Sequence, residues 1–276
     1  MNRKRLTVCA DDFGLNAPVS RGIAALAERG RLSALTCIVN APHWPQAAPA
    51  LSALAPRVSI GLHLNFTEGR FQSDGSALPG LGAMLLRGAA RLLSSSRLSK
   101  EIHAQWDAFE QVARRTPDFI DSHQHVHVLP QLRDALLEAV RQRGAAVAVR
   151  GLHPSFGPRD AALKRGVIRA LGGAALSRAI DAAGLPRNRA FGGVQSFGPG
   201  YPVRDAWREM LRQAPDGALI ACHPADAPPQ SDPIGPFRLA EHDYLASDRF
   251  ADDCTQAGVE LAPLRAGPFA ASPTDR

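Results

Sequence analysis

The chain has 276 residues, 45% of them apolar and only 6% aromatic, with a formal net charge of +6. That length buries a substantial core without division into domains, and no run approaches the ~18 apolar residues of a membrane span. The arginines are scattered and lack interleaved aromatics on which bases would stack, so the positive charge alone does not point to nucleic acid.

The basic start, Met1 to Arg5, is followed by an apolar run that meets Asp11 and Asp12 before a secretory core could form. The expected location is cytoplasmic. Short runs rich in Val, Ile and Leu predict strands at 6–10, 35–39, 58–64, 119–121, 146–149 and 218–222, with a weaker one at 259–264 and a further one at 191–197. Helical spacing predicts helices over 19–29, 102–115, 131–143 and 203–213. Strand and helix alternate, which predicts an α/β protein: one domain over 1–276, a distorted (β/α) barrel of about seven parallel strands. Cys9, Cys37, Cys222 and Cys254 are widely spaced without a CxxC pair and read as reduced packing residues.

Two stretches exceed a minimal barrel and read as helical insertions, at about 68–100 and 158–186, and the last residues, 267–276, read as a flexible tail. Both insertions mix basic and apolar residues at helical spacing. Two readings follow: ordinary amphipathic helices packed on the barrel, or a surface that rests on an anionic membrane or covers a lipid-linked substrate.

Four strand ends carry the chemistry. Ala10-Asp11-Asp12-Phe13-Gly14 places adjacent carboxylates after the first strand. Such a pair resists sharing one low-dielectric pocket unless a cation or proton separates the two roles, which suggests metal ligation by one and base chemistry by the other; the alternative is a pair capping the next helix. His63 ends the third strand. His123, His125 and His127 follow the fourth at every second position. In extended backbone all three would face one way, and in a helical turn only 123 and 127 would, so at least two imidazoles converge either way. Imidazole suits zinc and its neighbours, and a further histidine commonly serves behind the ligands. His223, after the late strand, could supply a general acid, and Arg150 could orient or tune Asp11.

The chain resembles the YdjC-type carbohydrate deacetylases, a family that includes chitooligosaccharide deacetylases and hopanoid-associated deacetylases. The resemblance rests on ADDFG at 10–14, GLHLNFT at 61–67, DSHQHVHVLP at 121–130 and CHP at 222–224, in that order. It implies a distorted barrel that removes acetyl from N-acetylated sugars with one divalent metal ion, zinc or magnesium. It also implies Asp12, His63 and His123 as metal ligands and Asp11 as base, with His125 and His127 behind the ligands or in place of one. Ala225 and Leu219 depart from the family pattern, which has glycine after CHP and an acid shortly before it. The implied partner is an N-acetylated sugar or glycolipid, with peripheral membrane contact and a homo-oligomer both open. A metal phosphoesterase, another amidohydrolase and a non-catalytic glycan-binding protein are the competing functions.

Overall fold

The computed structural model describes residues 3–198, 200–228 and 232–264; the tail 267–276 lies outside the described residues. In chain order the elements are β1 (Lys4–Phe13), α1 (Ala17–Glu28), β2 (Ala34–Cys37), α2 (Trp44–Ala47), α3 (Leu51–Leu54), β3 (Ser59–Leu64), α4 (Gly80–Ala89), α5 (Ser95–Ala113), β4 (Phe119–Ser122), α6 (Pro130–Arg143), β5 (Ala148–Val149), α7 (Ala162–Ile168), α8 (Ala174–Ala182), β6 (Phe191–Gly192), α9 (Val203–Gln213), β7 (Ala218–Cys222), α10 (Gly235–Ala246), α11 (Asp248–Gln256) and β8 (Val259–Leu261).

Every strand pairing is parallel, in the order β5-β4-β3-β2-β1-β7-β6. Short β8 shares the β2 edge of β1: the Lys4 amide and Leu6 carbonyl bond to the β8 segment, while the Val8 carbonyl accepts from Ser33 at the start of β2. Central β1 is therefore buried over its last eight residues, which is why it reads as a continuous apolar run rather than an alternating one. The sheet curls, and its outer strands meet without a ladder. A single bridge joins Ser155 to Phe191, with Phe156 N–H donating to the Phe191 carbonyl and Phe191 N–H to that of Pro154. The result is an irregular barrel of seven parallel strands with the short β8 appended.

Helices pack outside. Asn16 caps α1, accepting from the Val19 amide at 3.0 Å, so the neighbouring Asp11 and Asp12 are not used as that cap. Val19, Ile23 and Leu26 of α1 and Trp207, Met210 and Leu211 of α9 are fully buried, with the Trp207 ring against Tyr244 of α10 and Phe250 of α11. All four cysteines are buried and unpaired. The insertions divide: α8 packs Leu176 and Ile180 inward, whereas α7 buries none of its residues. No helix among the described residues is long and apolar enough to cross a membrane.

Candidate metal centre and catalytic pocket

Parallel strands bring their carboxyl ends to one face, and there the structure assembles Asp11, Asp12, His63, His123, His125 and His223 around one cavity of about 760 Å3. Adjacent carboxylates in an extended strand point to opposite sides, but Asp12 takes a left-handed backbone (φ 77°) and departs from that alternation. The two then enter separate charge networks.

Arg150, fully buried, donates to both oxygens of Asp11 at 2.7 Å and lies 2.7 Å from Asp121 Oδ2. Burial alone would raise the Asp11 pKa, but the Arg150 guanidinium more than offsets that and holds the carboxyl well below its ordinary range. Asp12 is served instead by Arg238 of α10, which donates to its Oδ2 at 2.8 Å while bonding Asp232 with its Nε. Burial opposes ionisation here too, and His123 and Arg238 together keep the Asp12 pKa low.

Asp12 Oδ1 faces the two imidazoles, 2.9 Å from His123 Nδ1 and 3.5 Å from His63 Nε2. It is buried without a hydrogen-bond partner of suitable angle. The other nitrogen of His63 lies 2.6 Å from Asp121 Oδ1, a pairing set by register, since His63 stands opposite Asp121 across β3 and β4. A carboxylate behind an imidazole fixes its ring and tautomer. The ligand atoms of Asp12, His63 and His123 all lie within 4.8 Å of one another. Asp11, His63 and Asp121 satisfy the same distance, but their oxygens are already engaged by Arg150 and by His63 itself.

Charge bookkeeping supports a cation at the first of these sets. Three buried carboxylates (Asp11, Asp12, Asp121) face two buried guanidiniums, one of which, Arg238, is shared with Asp232, so at least one negative charge is left uncompensated. The protein alone answers it by protonation: burial would lower the His123 pKa, but Asp12 and then Glu68 beside it raise it to about 10. One carboxylate and two imidazoles form a donor set suited to a divalent ion.

The remaining histidines separate. Gln124 and His125 adopt left-handed backbone, at φ 53° and 58°, so the segment is neither extended nor a regular helical turn. His125 lines the cavity against Phe191, and its burial lowers its pKa to about 3. His127 turns away, its ring 2.7 Å from Ser122 Oγ and 3.2 Å from the Arg150 carbonyl. His223 reaches the cavity, its Nδ1 buried and unpartnered, and burial lowers its pKa to about 4.

Sequence reading missed several groups. Glu241 of α10 accepts from the His223 backbone N–H at 2.6 Å, from Gln195 and from Trp207, and burial pushes its carboxyl up to about 7. Arg238 and Glu68 were missed as well. Only Asp121 had a legible signal, its place opposite His63 at the end of an adjacent strand.

The chain is 34% identical over 151 residues to a chitooligosaccharide deacetylase of Yersinia pestis (strain Pestoides F), covering 53% of this chain and 59% of the relative. It is 37% identical over 134 residues to one from Yersinia enterocolitica, covering 47% and 53%. These matches thus span little more than half of the relatives' length. A solved structure from Enterococcus faecalis V583, named as a candidate cellobiose-phosphate cleavage protein, superposes over 95% of this chain and 98% of its own with a TM-score of 0.67 at 20% identity, a likeness of fold. The YdjC-like protein family matches residues 5–256, a span that takes in every strand end that lines the cavity, and the chain belongs to that family.

Proposed function

We propose that this site hydrolyses the N-acetyl group of an amino sugar, giving acetate and a free amine. The observation that carries the reading is the division of labour between neighbours. Asp12 Oδ1 is left free to join His63 and His123, while Asp11, one residue earlier, is held ionised at the same cavity by Arg150. Asp12, His63 and His123 would hold a divalent ion, with the imidazoles favouring zinc over magnesium, and that ion would supply Lewis acidity to the reaction.

Asp11 accepts the proton of the attacking water, fixed in orientation by its two bonds to Arg150. His223 delivers a proton to the departing nitrogen, without which the amine leaves poorly. Its low pKa makes the resting imidazole neutral, so the proton it delivers is the one that Asp11 has taken from the attacking water, passed on within the same turnover. Glu241 fixes the His223 backbone through the 2.6 Å bond to its N–H. The names of the Yersinia relatives support a sugar amide as substrate. The apolar wall of the cavity, with Leu81, Leu85, Leu163 and Leu171, favours a sugar carrying an apolar substituent, so glycolipids belong in the test beside free oligosaccharides.

The test is acetate release from N-acetylglucosamine oligosaccharides and glycolipids, with added Zn2+, Mg2+ or chelator, by wild type and Asp11→Asn. Chelator-sensitive release that disappears in the variant is expected. Absence of acetate from every substrate, with phosphate released from sugar phosphates instead, would replace this reading by a phosphoesterase.

A further inference from the structure

Both insertions include a long stretch without an acidic residue. Between Asp74 and Glu101 the charged side chains are Arg87, Arg91, Arg97 and Lys100; between Asp160 and Asp181 they are Lys164, Arg165, Arg169 and Arg178. Though distant in sequence, the two are anchored side by side. Gly88 of α4 packs so closely on Leu129 that a Cβ there would lie 2.8 Å from its side chain, and Gly172, in the turn after α7, packs on the carbonyl of the preceding residue, Val128. Leu81 and Leu85 of α4 and Leu163 and Val167 of α7 consequently line the same cavity.

Of the six large apolar side chains that are exposed among the described residues, five belong to these stretches: Leu81, Leu86, Leu92, Leu163 and Val167. Leu86, Leu92 and Leu163 are 72%, 74% and 81% exposed. Leu163 and Val167, four residues apart, share a face of a helix that buries nothing. Arg87, Arg91 and Arg169 beside them are exposed, and no ion pair or side-chain hydrogen bond occupies them among the described residues.

Leucines projecting into water beside unpaired arginines match a surface that lies in a membrane interface. A second copy of this chain, docking through the same patch, would bring like charges together, whereas anionic lipid headgroups neutralise the arginines while the acyl boundary covers the leucines. We propose that α4, α7 and the turns that follow them dock the mouth of the cavity onto a membrane rich in anionic lipid. The cavity then opens toward the lipid surface.

The experiment needs no substrate and is independent of the proposed chemistry. The full chain is sedimented with vesicles of phosphatidylcholine alone or with about one third phosphatidylglycerol, at low and high salt. Wild type is expected to bind the anionic vesicles and to release with salt. Arg87→Gln/Arg91→Gln should bind about fivefold more weakly per arginine removed, and Leu163→Ser/Val167→Ser about tenfold or more weakly. Unchanged thermal melting in both variants, expected for exposed positions, shows that folding is not the cause. Equal binding to neutral and anionic vesicles, or full binding by the serine variant, overturns the proposal. So does a concentration-dependent dimer that the serine variant abolishes in a chain that ignores vesicles, which would assign the patch to a second copy.

Discussion

Replacing Arg150 by Met keeps most of the buried stem and removes the charge that holds two carboxylates. Arg150 is fully buried, donates twice to Asp11 at 2.7 Å and contacts Asp121 at 2.7 Å. Breaking a buried pair by removing one partner costs about 3–5 kcal/mol, because the remaining charge is left uncompensated. With a urea slope of about 3 kcal/mol per M, the unfolding midpoint at pH 7 should fall by about 1–1.7 M. The pH dependence carries the sharper test. In wild type the Asp11 pKa is lower in the folded than in the unfolded chain, so its contribution is fully present above the unfolded pKa and is lost as pH falls through the folded one. In Arg150→Met the largest opposing charge is gone and only the weaker pull of His63 and His223 acts against burial, so the folded pKa rises above the unfolded value, the native state binds the extra proton, and acidification from pH 7 to pH 5 narrows the deficit. Urea titrations of chelator-treated protein at both pH values, followed by far-ultraviolet circular dichroism, measure this. A deficit below about 1 kcal/mol, or one that widens on acidification, would refute the assignment of Arg150 as the counter-charge.

Asp11→Asn should retain divalent-ion binding measured by calorimetry while acetate release falls by about 100-fold or more. His123→Ala should lose that ion binding and His127→Ala should keep it, because only His123 faces Asp12; equal losses in equilibrium dialysis would count against the ligand set. The His223 ring, with its pKa lowered to about 4, should stay neutral from pH 8 to pH 5 in a nuclear magnetic resonance titration of the metal-free protein, and a midpoint near the ordinary histidine value would contradict its burial. Glu241→Ala should lower kcat and stability together, whereas Glu241→Gln, which keeps an acceptor for the His223 N–H, should recover much of both.

The strands were legible because β1, β3 and β7 are buried on both faces and announce themselves as apolar runs. The alternation with helices then implied parallel pairing and one shared face for the strand ends. What spacing could not resolve was the direction of the three imidazoles after β4. Both regular conformations weighed from the sequence fail, because Gln124 and His125 are left-handed, and this turns His123 toward Asp12 and His127 toward Ser122. The groups on α10 were invisible for a different reason. Arg238 and Glu241 sit on a helix of mixed composition, and their partners Asp12 and His223 are 226 and 18 residues away, so no local pattern links them.

The adjacent carboxylates of β1 show how distant residues complete a local motif. From the sequence, two neighbouring acids in an apolar run required something to separate their roles. A cation held as proposed would serve only one of them. The other separation is made by the protein: a guanidinium 139 residues later claims both oxygens of Asp11, and one 226 residues later claims a single oxygen of Asp12. That asymmetry supports the proposed division of roles, since a carboxylate with both oxygens held is fixed and ionised while one with a free oxygen can still ligate. Exchanging the environments, for example by Arg238→Met, should therefore release Asp12 Oδ2 and weaken ion binding by loosening the ligand, without removing any ligand from the set. Unchanged affinity in that variant would show that Asp12 is oriented by its backbone alone.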